Sequence, residues 1–285
     1  MRILVTNDDG VHAPGLAALV RSLARAANRL NAEIVVAAPL VNHSGASAAV
    51  GTVYERDSIS YRRFQIAGAN EVAVYGLDAS PALSVLVAAL GGFGPKPDIV
   101  ASGINLGVNV GRSVLHSGTV GAVLTGAQLG VSGLAVSMRS GVDPECWETA
   151  AEIAVEIVAE LATAPPRTVL NLNVPSLPIG ELRGVRRGRI STAGIVKAAS
   201  MRATIVGAPA LGGDDDGGEI RLRLGAAVPS LGDVSDEEPE DDGALVASGF
   251  ASLTPLTGVG EDFEESSGEL VAGILERTNS TIANR

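Results

Sequence analysis

Short apolar runs of strand length alternate with longer stretches of helical spacing over the first two-thirds of the chain. Ile3 to Val5 is a compact apolar run, as a strand covered on both faces would be, and Gly10 ends it. Pro14 stands at a first helical position, and Leu16, Leu19, Val20, Leu23 and Leu30 then recur at helical spacing. Glu33 to Pro39 reads as the next buried strand, Glu71 to Leu77 as another, and Pro81 to Leu90 as an apolar helix. Asp98 to Asn105 is a strand that ends in polar and glycine residues. Thr119 to Leu129 reads as a helix and Leu134 to Met138 as a strand. Asp143 and Pro144 have the chemistry of a cap and first residue for a helix running to Leu161, and Arg167 to Pro175 is a further strand. Alternation of this kind predicts an α/β fold with a mostly parallel, doubly wound sheet.

After about residue 180 the pattern changes. Gly184 to Thr192, Glu219 to Leu224 and Ala244 to Leu256 read as β segments with no helix between them. They predict a smaller β-rich region, 181–285, or extended arms appended to a core of residues 1–180. Gly232 to Gly243 carries seven acids with Gly and Pro, and reads as a solvated or disordered surface insertion without catalytic role. Glu264 to Thr278 reads as a terminal helix, and no internal repeat is present.

Composition narrows the classes. The 285 residues are 46% hydrophobic, enough for a sizeable core without staples. A single cysteine, Cys146, rules out an internal disulfide and a cysteine-based zinc site, and beside Trp147 it reads as structural. No stretch approaches the roughly 18 apolar residues of a membrane span, and the chain enters a strand at once, so a cytoplasmic protein is expected. The net charge of −11 is local: Asp214 to Asp242 holds eleven acids against Arg221 and Arg223, which accounts for −9. No basic stripe suggests a nucleic-acid polymer as partner. The two lysines, Lys96 and Lys197, follow no phosphate-loop glycine, which excludes Walker-type ATP binding.

Small polar residues gather at four strand ends or adjacent loops. Asn7-Asp8-Asp9-Gly10 places two carboxylates side by side at the carboxyl end of the first strand, the edge where open α/β sheets bind ligands. A hard divalent cation would relieve their repulsion; a strand-ending Asx turn is the plainer alternative. Asn42-His43-Ser44-Gly45 follows the second strand. Ser102-Gly103-Ile104-Asn105-Leu106-Gly107-Val108-Asn109-Val110-Gly111 lacks the dinucleotide glycine fingerprint, which argues against a Rossmann oxidoreductase; Asn105 is either a neutral oxygen ligand or a turn residue. His116-Ser117-Gly118-Thr119-Val120-Gly121 opens a helix, and is either an anion site or an ordinary Ser/Thr cap. A cation facing an anion held at a helix N-terminus suits metal-assisted hydrolysis of a phosphate ester. His116 adjoins the anion segment and is a candidate general acid, whereas His12 and His43 read as supporting or surface groups. No G-x-S-x-G elbow is present for a serine hydrolase.

The order and spacing of R-I-L-V-T-N-D-D-G, S-G-I-N-x-G-x-N-x-G and H-S-G-T-V resemble the SurE family of nucleotide phosphatases. Asn171-Leu172-Asn173-Val174-Pro175 and Ser252-Leu253-Thr254-Pro255-Leu256 are also similar to family segments. The resemblance implies a Rossmann-like core with a C-terminal region that exchanges arms in a homodimer or homotetramer. It implies one divalent metal, Mg²⁺ or Mn²⁺, on Asp8, Asp9, Ser44 and Asn105. It implies a phosphate site lined by Asn109, Ser117, Gly118 and Thr119, and dephosphorylation of nucleoside 5′- or 3′-monophosphates. Asp8 and Asp9, with the adjoining His116 as either a general acid or an orienting imidazole, are the candidate catalytic groups. Leu40, Asn42-His43, Leu83 and Phe250 depart from the usual family residues. These departures motivate one alternative, a non-catalytic metal- or nucleotide-binding protein of the same fold.

Overall fold

The structure is a computed structural model and describes residues 1–53, 57–139, 146–191, 202–206, 219–223, 240–258 and 274. The strands are β1 (Arg2–Thr6), β2 (Glu33–Pro39), β3 (Tyr61–Phe64), β4 (Ala73–Leu77), β5 (Ile99–Leu106), β6 (Ser132–Met138), β7 (Val169–Val174), β8 (Val185–Arg187), β9 (Arg202–Val206), β10 (Glu219–Arg223) and β11 (Ala251–Leu256). The α-helices are α1 (Pro14–Leu30), α2 (Pro81–Ala89), α3 (Gly118–Gln128), α4 (Trp147–Leu161) and α5 (Asp242–Ala247), with a 3₁₀ turn over Gly111–His116. Nine strands form one sheet in the order β3-β4-β2-β1-β5-β6-β7-β11-β8, and β9 and β10 form a separate antiparallel pair. From β4 to β7 every pairing is parallel; β3 and β11 run antiparallel to their neighbours β4 and β7.

The chain winds outward from β1 to β2 and β4, then returns to the other side of β1 with β5 and winds outward again. The reversal lies between β1 and β5, so the crevice outside their carboxyl ends is the topological switch point where such sheets bind ligands. Helices α1 and α4 cover one face around Ile3, Val5, Leu16, Leu19 and Val158. Helices α2 and α3 cover the other around Leu4, Val35, Val85, Val100 and Val123. Central strands are therefore apolar on both sides, which is why they read as unbroken apolar runs.

Local chemistry sets the helix starts. Pro14 and Pro81 sit in first helical positions, and Ser80 Oγ accepts the Leu83 amide at 3.1 Å. Asn31 ends α1 in the left-handed conformation, φ 47°. The predicted cap of α4, Asp143-Pro144, lies outside the described residues; within them the helix begins at Trp147 after a buried, free Cys146.

Two expectations need correction, and one strand, β3, had none. The span Ala244 to Leu256 is not one strand: α5 occupies its first part, and a turn through Gly249 (φ 85°) leads into β11. The run Ala244-Leu245-Val246 is too short for periodicity to separate a helical turn from a strand, and Leu245 and Val246 are buried on α5. The end of the acidic stretch is not solvated, because Asp242 is fully buried. Strand β3 carries no alternating apolar signal, since its first three residues are exposed at the sheet edge. The acidic residues 232–239 and the predicted C-terminal helix, apart from residue 274, lie outside the described residues.

Candidate active site at the sheet switch point

At the end of β1 the chain turns through residues buried almost from the start. Thr6, Asn7 and Asp8 are buried and Asp9 is half-buried. Asn7 Nδ2 donates to the Gly10 carbonyl at 2.9 Å and closes the turn. That points Asp8 towards α3 and Asp9 towards β5. Asp8 Oδ1 accepts the Thr119 hydroxyl at 2.6 Å. Asp9 Oδ2 accepts the Leu106 amide at 3.3 Å, and its Oδ1 faces Asn42 Nδ2 at 3.5 Å. The Asp9 carboxyl is held above the usual carboxylate range by burial first and by the negative charge of Asp8 second; the Leu106 N–H only partly offsets them.

The loop after β2 bends back over the pair. The His43 amide donates to the Asp8 carbonyl at 2.7 Å, and the Ser44 amide donates to Asn42 Oδ1 at 2.7 Å. Ser44 thus stands one residue beyond the point where this loop is tied to Asp8, with its hydroxyl exposed. At the end of β5, Asn105 Nδ2 donates to the Gly107 carbonyl at 2.6 Å, which leaves Oδ1 as its free acceptor. Asn105 sits beyond an irregularity in the β5–β6 register after Ser102. There Gly103 has φ 134°, and a Cβ would lie 2.2 Å from the Val136 carbonyl oxygen, so only glycine fits.

Among the described residues no three of His, Cys, Asp and Glu cluster as a metal site. The candidate donors are instead two carboxylates, with the amide oxygen of Asn105 and the hydroxyl of Ser44 on adjoining segments. Those are hard oxygen donors, which fit Mg²⁺ or Mn²⁺ and not a zinc-type N/S site.

Helix α3 abuts this pair. Gly118 is required there: a Cβ would lie 2.8 Å from Asp8 Cβ and 2.9 Å from its Oδ2. Ser117 is the N-cap, its Oγ accepting the Val120 amide at 3.1 Å, while its carbonyl accepts the Gly121 amide at 2.9 Å. The amides left at the helix start are those of Gly118 and Thr119, and Ser117 keeps its own hydroxyl proton to donate. That is an anion-binding arrangement. Thr119 differs from the sequence expectation. Its single hydroxyl proton goes to Asp8, so it links the anion end of the site to the carboxylate end instead of adding a second free donor.

Asn109 lies apart from the carboxylates, anchored to β6 and β7. Its Nδ2 donates to Ser137 Oγ at 2.8 Å, leaving one Nδ2 hydrogen unspent. Its amide donates to Asn173 Oδ1 at 2.7 Å, and its carbonyl accepts Asn171 Nδ2 at 2.9 Å and Asn173 Nδ2 at 3.0 Å. His116 is exposed at the end of the 3₁₀ turn, its carbonyl accepting the Ser47 amide at 3.2 Å. His12 packs edge-on against Phe64, with centroids 4.9 Å apart. Sequence reasoning overlooked Asp242, whose Oδ2 accepts the Gly111 amide at 2.8 Å. Its only signal was position, just before a short apolar run.

The departures from the family pattern fill apolar space. Leu83 is buried in the α2–α3 layer, and Leu40 packs towards Gly76. Phe250 is buried between the Arg183 and Arg186 guanidinium groups, 4.4 and 4.2 Å from its ring centroid.

Known proteins match this chain along most of its length. The family model described as "Survival protein SurE" matches residues 3–198. A 5′/3′-nucleotidase SurE of Cronobacter sakazakii is 36% identical over 258 residues, covering 90% of each chain. A 5′-nucleotidase SurE of Stutzerimonas stutzeri is 37% identical over 258 residues, covering 90% of this chain and 92% of its own. The crystal structure of the SurE protein from Aquifex aeolicus superimposes with a TM-score of 0.68 at 27% identity, covering 97% of this chain and 100% of that one. With the doubly wound sheet and its acidic switch point already in place, these matches show that the chain belongs to the SurE family.

Proposed function

We propose that this protein is a metal-dependent nucleotidase that hydrolyses nucleoside 5′-monophosphates, and 3′-monophosphates as well, to nucleoside and phosphate. The observation that carries the reading is the contact between the two halves of the site. The helix start that offers amides to an anion is bonded through Thr119 to Asp8, one of two adjacent carboxylates that no cationic side chain pairs with among the described residues. The names of the nucleotidase relatives support the same substrate class.

In this reading Asp8, Asp9, Ser44 and Asn105 hold one Mg²⁺ or Mn²⁺ per subunit. Bound there, such an ion polarises a phosphoryl oxygen and offsets charge developing on the phosphoryl group. The chain's own residues do the rest. The amides of Gly118 and Thr119 and the hydroxyl of Ser117 receive phosphoryl oxygens. The remaining Nδ2 hydrogen of Asn109 adds a donor from the β7 side. Water attacks phosphorus, the phosphorus–ester oxygen bond breaks, and the nucleoside oxygen leaves with a proton from His116, which the proton released by the attacking water restores. The enclosing loops mainly position and neutralise, which phosphoryl transfer chiefly requires. Leu83 is buried in the core and Leu40 packs partly buried against it.

The test is turnover of a nucleoside monophosphate panel by chelator-treated protein, with and without added Mn²⁺ or Mg²⁺. Release of phosphate that depends on the added ion is the expected result. Equal turnover in excess chelator rejects the metal role, and no turnover of any monophosphate rejects the nucleotidase reading.

A further inference from the structure

Asp242 is fully buried, and both of its carboxylate oxygens are used by backbone amides from three segments. Oδ2 accepts from Gly111 at 2.8 Å; Oδ1 accepts from Gly243 at 2.8 Å and from Ser191 at 3.2 Å. No described hydrogen bond or ion pair gives Asp242 a cationic side chain; the nearby Arg189 pairs with Glu240 at the surface, 3.0 Å away. Helix capping does not explain it. The N-cap of α5 is Asp241, and the single α5 amide that Asp242 receives is its immediate neighbour's. With no described cation beside it, such a buried carboxylate leans on its backbone donors.

What it reaches is the segment that carries the anion site. Gly111 opens the 3₁₀ turn that delivers His116 and Ser117. Two residues upstream, Asn171 and Asn173 grip the Asn109 carbonyl, and Asn173 also takes the Asn109 amide. At its far end the same segment is held by the Thr119 hydroxyl on Asp8. The stretch from Asn109 to Thr119 is therefore strung between two buried carboxylates, one just after β1 and one 131 residues further along the chain than Gly111. The C-terminal anchor is packed tightly: a Cβ on Gly188 would lie 2.1 Å from Ser252 Oγ and 3.2 Å from Asp242 Cα.

We infer that Asp242 is a positioning residue, which holds the Asn109–Ser117 segment so that the Ser117–Thr119 donors meet a phosphate group. This role rests on the phosphatase reading above. It assigns part of the active-site architecture to the C-terminal region, outside the segment that carries every candidate metal ligand.

The test compares the wild-type full chain with Asp242→Asn. An asparagine keeps the shape but offers one acceptor oxygen in place of two, so Gly111 or the Gly243–Ser191 pair loses its partner. The KM for a nucleoside monophosphate and the inhibition constant of inorganic phosphate should both rise about ten-fold, the scale of one charge-assisted hydrogen bond. The Mn²⁺ concentration for half-activation should not move, because Asp242 touches none of the candidate ligands. A fall in kcat in proportion to lost folded protein, with KM and phosphate inhibition unchanged, overturns the inference and leaves a merely structural residue. Should the variant fail to fold, amide hydrogen exchange on the wild type decides. Gly111 should be protected like the β5–β6 ladder, and free exchange there with an intact sheet overturns the clamp. Wild-type protein that neither turns over nor binds phosphate instead rejects the phosphatase reading itself.

Discussion

Asp8 and the half-buried Asp9 at the end of β1, and the buried Asp242 at the start of α5, are acids held in opposite ways. The first two stand next to each other. Asp9 receives one backbone amide at 3.3 Å, and its proton affinity is raised by burial and by its neighbour's charge. Asp242 also has its affinity raised by burial, yet three backbone amides oppose that rise. The pair is left electrostatically unfinished, with no described cation beside it, as the proposed metal role requires. The single acid is finished from within, and its charge is spent on fixing a loop. Burial alone therefore does not distinguish a ligand from a strut; the count of backbone donors does.

The comparison breaks most sharply at Asp8. Asp8→Asn should lower the rate by roughly a thousand-fold or more, since several kcal/mol of stabilisation of the phosphoryl group depend on the cation site. Its metal-free thermal midpoint should hold or rise, because one of two repelling charges is gone, and the rise on adding Mn²⁺ should shrink. Near-normal turnover would show that the pair is not the metal site. Gly118→Ala forces a methyl against the same carboxylate. A loss of about 1–3 kcal/mol in urea unfolding, with a fall in rate, is expected from overpacking at such a contact.

The two hydroxyls of α3 should separate by readout. Thr119→Val removes a bond to a charged acceptor, worth about 1.5–3 kcal/mol, and should chiefly reduce the stabilisation by Mn²⁺. Ser117→Ala removes a cap worth roughly 0.5–2 kcal/mol and should chiefly weaken inhibition by phosphate. Identical profiles for both variants would show that the two ends of the site are not distinct.

Asp242 gives a pH signature of its own. Its folded affinity for a proton exceeds the unfolded one, so its contribution to stability is full below the unfolded pKa and is lost as pH rises through the folded value. Asp242→Asn lacks that dependence. The variant's midpoint relative to wild type should therefore climb from acid to neutral pH, and a flat difference would show that folding does not raise the proton affinity of Asp242. The smallest effect belongs to the acidic stretch before it. Replacing residues 235–239 by a short Gly-Ser link should leave midpoint and rate unchanged, because the segment has no apolar side chain to bury.

Much of this was legible in the sequence because the central strands are buried on both faces. Runs such as Ile3 to Val5 and Glu33 to Pro39 need no alternation to be recognised, and the polar residues at their ends mark the ligand edge. Strand β3, Tyr-Arg-Arg-Phe, was hidden for the opposite reason: an exposed edge strand has no core face to write into its sequence. Asp242 was hidden because it ends a run of solvent-loving acids; only the tertiary fold sets it apart from Glu240 and Asp241. The hydroxyl of Thr119 could be assigned to the right helix start, but its direction depends on Asp8, 111 residues away in the chain.

The contact between Gly111 and Asp242 also orders events during synthesis. It closes a loop of 131 residues, so it is among the last to form as the chain leaves the ribosome. By then Asp8, Asp9, Ser44, Asn105, Ser117 and Thr119 have all long emerged. A nascent chain thus carries every candidate ligand while lacking the acid that secures the loop between them. On the proposed roles, phosphate affinity would be acquired after metal affinity, and a truncated product that still captured a cation would turn over substrate poorly.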